Sequence, residues 1–71
     1  MANYMTNYIV YGKSSNMKTY KAMDMHKIKP VNKLFYASIY DLNDQTLQNL
    51  KDNLKKLEKH INYKFEVRKT K

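Results

Sequence analysis

A leucine stripe in the second half of the chain most constrains its fold. Residues 41–62 read DLNDQTLQNLKDNLKKLEKHIN, and their apolar side chains recur every three or four positions, which places them on one side of a helix. These side chains are Leu47, Leu50, Leu54, Leu57 and Ile61. Asn43 is a favourable N-cap, and Asn62 is predicted to end the helix in a left-handed conformation. The stripe requires an apolar surface to pack against, so the rest of the chain must supply one.

Strands are predicted before and after this helix in the sequence. They are predicted where β-branched and aromatic residues are frequent or where apolar and polar residues alternate. These segments are residues 5–11, 17–25, 33–40 and 63–69. The cluster at residues 12–16 holds the only glycine and predicts a turn, and residues 26–32 hold the only proline and predict a loop. The order is therefore β-β-β-α-β.

This order predicts a single small α+β domain over residues 1–71, with residues 1–4 as a flexible tail. We expect a four-stranded mixed sheet with the helix packed on one face, and with the last strand beside and parallel to the first. One helix cannot cover both faces of a sheet. The opposite face should therefore expose Leu34, Tyr36 and Tyr40, and such an apolar face is a candidate binding surface.

The net positive charge of the chain lies outside the helix. The 71 residues carry a net charge of +8. The helical stretch 41–62 has four lysines against four acids and is neutral, so the excess falls on the strands, loops and C-terminal residues. This excess indicates an anionic partner, either nucleic acid or an acidic protein surface. A/T-rich codon usage is an equally good explanation, because Lys, Asn, Tyr and Ile are all frequent.

Composition also bears on the cellular compartment. The chain has no cysteine, which excludes disulfides and thiolate metal sites and fits a reducing cytosol. Its apolar runs are far shorter than the ~20 residues of a membrane span, and its N-terminal sequence does not resemble a signal peptide. We therefore expect a soluble intracellular protein that does not contact membranes.

Catalytic and metal-binding motifs are not found. The lone Gly12 lacks the second glycine of a phosphate-binding loop. Asp24 and His26 would share one side of a strand, but two ligands do not make a metal site. No base is placed to activate Ser14 or Ser15. We expect neither an enzyme nor a cofactor.

A mixture of lysines and tyrosines is the remaining signal. Tyrosines on a sheet beside lysines can stack bases and hold phosphates, and the same surface suits a protein partner or a homodimer. A solvated lysine surface with half-buried tyrosines is the fourth alternative. The candidate binding residues are Lys18, Lys21, Lys27, Lys29, Lys33, Tyr36, Tyr40, Lys64, Arg68 and Lys69.

Several segments carry a resemblance to a known group of proteins. They are YIVYGK at 8–13, YKAMD at 20–24, LFYASIYD at 34–41 and FEVRK at 65–69. On these segments the chain resembles small uncharacterised proteins encoded by phages and integrative elements of low-GC Gram-positive bacteria. The resemblance implies an accessory protein of the bacterial cytoplasm that binds a host or defence enzyme stoichiometrically. From the open sheet face and its flanking lysines, we expect it to inhibit or modulate a host protein such as a nucleic-acid enzyme with an acidic groove. The resemblance supplies no functional residues.

Overall fold

A computed structural model describes residues 5–70, and its helices and strands confirm the predicted α+β class. In chain order they are β1 (Thr6–Ser14), β2 (Lys21–Asp24), β3 (Lys29–Pro30), a 3-10 helix (Leu34–Tyr36), β4 (Ile39–Leu42), α1 (Asp44–Glu58) and β5 (Tyr63–Lys69). The predicted tail at residues 1–4 lies outside the described part of the chain. Within residues 5–70, no helix is long and apolar enough to cross a membrane.

The helix α1 begins where the sequence predicts. The side chain of Asn43 accepts a hydrogen bond from the Thr46 amide at 2.9 Å, and Thr46 Oγ1 accepts one from the Asn43 amide at 2.9 Å. Two backbone amides at the N-terminus of the helix thereby each have a side-chain acceptor. The prediction that Asn62 adopts a left-handed conformation is wrong. Within residues 5–70, the one non-glycine residue with positive φ is Ile28, so Asn62 has negative φ. Asn62 instead donates to Ser15 Oγ at 2.7 Å, which ties the end of the helical segment to the turn after β1.

The sheet is organised around β1. The strand β5 pairs with one edge of β1 from Tyr8 to Ser14. The opposite edge is shared, with β4 pairing along Thr6 to Ile9 and β2 pairing at Tyr11 and Gly12. All described strand pairs are antiparallel, and β3 completes a five-stranded sheet beside β2.

This topology confirms the position predicted for the last strand and corrects its direction. The last strand does lie beside the first, but it is antiparallel to it, and the sheet has five strands instead of four. The helical crossover does join two parallel strands, β4 and β5. These strands flank β1 on opposite edges and do not pair with each other, so the sheet contains no parallel pair among the described residues.

The middle of the chain differs most from the prediction. Residues 33–40 were expected to be one strand, but Leu34–Tyr36 forms a 3-10 helix and the strand runs from Ile39 to Leu42. The predicted loop 26–32 contains the short strand β3, and the predicted strand 17–25 is reduced to four residues. The physical reason is the shared edge of β1. After pairing beside one half of β1, the chain must cross to reach the other half, and the 3-10 helix is part of that crossing.

Both faces of the sheet carry buried residues. On the face covered by α1, Val10 and Met23 are fully buried and Leu54 of the helix is nearly so. The opposite face has a second cluster formed by Ile9, Ala22 and Ala37, with Tyr11 and Val31 packed against it. The expectation of an open second face is therefore wrong in part, because the segment from Val31 to Ala37 covers some of it.

A strained turn joins β2 to β3. The Asp24 carboxylate accepts hydrogen bonds from the amides of His26 and Lys27 at 3.0 and 3.4 Å, so this side chain stabilises the turn. Ile28 closes the turn with φ 52°. That conformation is unfavourable for a β-branched residue, since its Cβ approaches the following carbonyl.

Replacing Ile28 with asparagine is expected to stabilise the domain. Asparagine tolerates the left-handed region, so the variant Ile28→Asn should raise the free energy of unfolding by about 1 kcal/mol. For a domain of this size that corresponds to a rise of about 4–8 °C in Tm, measurable by thermal denaturation. Ile28→Val keeps the branched Cβ and serves as the control, which should gain nothing. Equal Tm changes in both variants would contradict the strain.

Candidate functional site

The 3-10 helix Leu34–Tyr36 carries the most exposed apolar side chain of the described structure. Phe35 is 87% exposed, and Leu34 and Tyr36 are 56% and 61% exposed. Ile39, at the start of β4, is also exposed. The phenylalanine and tyrosine rings contact each other edge to face, with centroids 5.4 Å apart. Exposed apolar side chains grouped in this way mark interaction sites more often than singly scattered ones do.

The exposed 3-10 helix is held at both ends by the sheet. Before it, the Val31 amide donates to the Ala22 carbonyl at 2.9 Å, and after it the Ser38 amide donates to the Met23 carbonyl at 3.0 Å. Ala37, directly after the helix, is buried in the second core cluster. Phe35 is therefore presented on a fixed backbone, which reduces the entropy lost when a partner covers it.

Lysines lie beside this apolar group and near it in the sequence. No acidic residue occurs between Asp24 and Asp41 in the sequence, whereas Lys27, Lys29 and Lys33 fall in that interval. Lys33 and Lys21 line one concavity of about 270 Å³, together with Leu34 and apolar residues of the second core cluster. Within residues 5–70, the one ion pair joins Arg68 and Glu66, so the described lysines are without carboxylate partners.

The structure separates the ten candidate binding residues into several locations. Lys21, Lys33 and Tyr36 lie in or near the exposed 3-10 helix. Lys18 precedes β2, and Lys27 and Lys29 lie on the β2–β3 hairpin. Three others lie on β5, namely Lys64, Arg68 and Lys69.

Tyr40 does not share a face with Tyr36, and the prediction that it would is wrong. Tyr40 lies opposite Tyr8 in the β1–β4 register, on the face that α1 covers. Burial raises the pKa of the Tyr40 phenol because the charged form loses solvation. Tyr36 belongs to the 3-10 helix and remains 61% exposed. Of this pair, Tyr36 is therefore the more exposed side chain.

Arg68 is engaged within the fold. Its guanidinium lies 4.2 Å from the ring centroid of Tyr11 and 5.9 Å from that of Tyr20, in a cation–π arrangement. It also donates to Glu66 Oε1 at 2.8 Å. The single arginine therefore contributes to the packing of the second sheet face, and its guanidinium already has a carboxylate partner.

The pair Asp24 and His26 has a structural explanation in the β2–β3 turn, where the carboxylate accepts two amide hydrogen bonds. In the part of the chain that the structure describes, no group of three or more His, Asp or Glu side chains is arranged to hold a metal ion.

Sequence reasoning missed Phe35 and two helix lysines. The strand predicted at 33–40 exposes Leu34 and Tyr36 and therefore turns Phe35 inward, although three consecutive large apolar residues at 34–36 cannot all be hidden by alternation. Lys51 and Lys55 are exposed on α1. They line a groove between α1 and β5, which we call the edge groove; its other lining residues are Leu54, Glu58, Phe65, Glu66 and Val67.

Comparison with known proteins adds no relative. No protein-family model, curated protein or solved structure matches this chain.

Proposed function

We propose that this chain is a non-enzymatic accessory protein of phage or mobile-element type, which acts by stoichiometric binding in the bacterial cytoplasm. Its partner is a host or defence protein that handles nucleic acid, and binding inhibits or modulates that protein. The observation that carries the proposal is the exposure of Phe35, at 87%, on a backbone held at both ends.

The energetics favour a protein partner at the exposed 3-10 helix. Removing a phenylalanine side chain from water stabilises a complex by about 1.5–3 kcal/mol. A domain of 71 residues has a thin core, so an apolar residue left outside it is an unused source of stability. Aromatic anchors in partner pockets are typical of interface hot spots.

The charge around the 3-10 helix narrows the choice of partner. Lys21 and Lys33 flank an apolar centre, and a complementary surface has an apolar pocket with carboxylates at its rim. Enzymes that act on nucleic acids carry such carboxylates where they hold divalent cations. Complementary charge also accelerates association and disfavours basic partners.

The test is retention of a partner by the variant Phe35→Ala. The immobilised wild-type chain is expected to retain one stoichiometric protein from a nuclease-treated lysate of a low-GC Gram-positive bacterium. Loss of a hot-spot phenylalanine should weaken binding by about 2 kcal/mol or more, roughly thirtyfold in Kd by titration calorimetry. Met5→Ala, which truncates another exposed apolar side chain, is the control and should bind as the wild type does. Equal affinity of both variants would exclude the 3-10 helix as the binding site.

A second candidate function is direct nucleic-acid binding by lysines and tyrosines of the sheet. The absence of carboxylate partners for the lysines of residues 5–70 favours it, because unpaired lysines can neutralise phosphates and release counterions. The nuclease step distinguishes the two functions. Material that is retained only before nuclease treatment, and that elutes steeply with salt, would support this second function. A homodimer that Phe35→Ala dissociates in sedimentation would support self-association.

A further inference from the structure

We propose that the outer edge of β5 is a second binding site, which accepts an extended acidic peptide as an additional strand. This inference does not rest on the proposed function, because it concerns a different surface and a different kind of contact. No other strand of residues 5–70 pairs with this edge. Addition of a peptide strand to a free sheet edge is a common recognition mode.

The register of β5 shows which amides face outward. The Thr70 amide donates to the Asn7 carbonyl at 3.0 Å, and inward-facing amides alternate along an antiparallel ladder. Arg68 and Glu66, opposite Ile9 and Tyr11, therefore bond to β1. The amides at the alternate positions point to the free edge; these residues are Phe65, Val67 and Lys69.

One of these three outward amides is already occupied. Glu58 at the end of α1 accepts a hydrogen bond from the Phe65 amide at 2.7 Å. A carboxylate of the chain itself thus makes the contact that a strand carbonyl would make, and it limits the free part of the edge. The amides of Val67 and Lys69 remain for the acceptors of a partner strand.

The edge groove supplies a place for the side chains of an added strand. It measures about 370 Å³ and combines apolar side chains of Leu54, Phe65 and Val67 with Lys51 and Lys55. A second concavity of about 480 Å³ shares Lys55 and Glu58 with it and adds further lysines, namely Lys13, Lys59 and Lys64. Alternate side chains of an extended peptide point to one side. A peptide with glutamates on the groove side places them beside Lys51 and Lys55, and β-branched residues at the alternate positions favour its extended conformation.

The same charges argue against a second copy of this chain. Pairing two β5 strands edge to edge would bring two lysine-lined grooves together, and each chain carries a net charge of +8. Like charges facing across an interface are repulsive, whereas an acidic peptide neutralises them. The acidic peptide is therefore the occupant that we infer.

The first test uses amide hydrogen exchange on the full chain. The probe is a capped synthetic peptide of about six residues that alternates glutamate and valine, near the usual length of a strand. At saturation the Val67 and Lys69 amides should exchange about tenfold more slowly, because they acquire acceptors. The amides of Glu66 and Arg68 are internal controls, since they are already bonded to β1. Binding without new protection at Val67 and Lys69 would overturn strand addition.

The second test separates charge from backbone pairing. The double variant Lys51→Gln/Lys55→Gln should weaken binding of the probe about fivefold in Kd. Lys18→Gln/Lys27→Gln has the same net charge and should bind as the wild type does.

Val67→Pro removes an outward amide without breaking the β1–β5 ladder, and it should also weaken binding, with circular dichroism reporting that the fold is retained. Equal weakening by both double variants would overturn the groove assignment, as would failure of the wild type to bind. Phe35→Ala should bind the probe normally, so failure of either proposal can be distinguished from failure of the other.

Discussion

Replacing Met23 with alanine is expected to lower the free energy of unfolding by about 2–5 kcal/mol, because the fully buried side chain would leave a cavity that the sheet and helix can close only in part. Met23 has no exposed surface and lies beside Gly12 on the face that α1 covers. Domains of 71 residues have total stabilities of roughly 4–11 kcal/mol. The substitution therefore removes a large share of the stability of this domain.

Urea denaturation followed by circular dichroism measures this effect. The midpoint should fall while the slope of the transition stays unchanged, since the fold is retained. Met5→Ala is the matched control, because Met5 is 58% exposed and its truncation should cost less than about 0.5 kcal/mol. Equal costs for the two variants would contradict the packing of Met23 in the core.

The start of the helix could be predicted from sequence because its causes are local. Asn43 reaches an amide three residues ahead, and the leucine stripe depends only on helical spacing. The end could not be predicted, because it depends on distant partners. Glu58 bonds to the Phe65 amide across the groove, and Asn62 bonds to Ser15 of the β1–β2 turn. Neither contact leaves a pattern in the residues around the helix end.

The strands show the same division between local and distant causes. The alternation of apolar and polar residues at 63–69 depends on neighbouring residues alone, and in β5 Tyr63, Phe65 and Val67 are more buried than the residues between them. Sequence patterns did not reveal that β1 pairs with three other strands. Because β2 and β4 share one edge of β1, the strand predicted at 33–40 begins only at Ile39, and Leu34–Tyr36 lies outside the sheet.

The candidate binding residues could be predicted by type but not by grouping. Tyr36 and Tyr40 have the spacing of a shared strand face, yet a change in secondary structure between them places them apart. Arg68 was a candidate for an anionic partner, and its stacking on Tyr11 required knowledge of the β1–β5 register. Phe35 was missed because the assumed strand turned it inward. Charge and aromaticity are thus readable in sequence, whereas their arrangement depends on the topology.

Gly12→Ala provides the second large stability effect, with an expected loss of about 1–3 kcal/mol from overpacking. A Cβ at this position would lie 2.8 Å from Met23 Sδ and 3.2 Å from Phe65 Cδ1. In an uncrowded strand the same substitution should instead stabilise by about 0.5–1 kcal/mol, because alanine loses less backbone entropy than glycine on folding. The sign of the measured change therefore reports on the close approach of the three residues.

The double variant Gly12→Ala/Met23→Ala tests whether Met23 is the source of that crowding. Truncation of Met23 removes the atom nearest to the new methyl group, and the methyl group fills part of the cavity left behind. The double variant should therefore be more stable than the sum of the single losses predicts, with a coupling energy of about 0.5–3 kcal/mol. Denaturation of all four proteins under one set of conditions measures it. Strict additivity would mean that the side chains do not compete for one space, and that Gly12 is required in β1 for another reason.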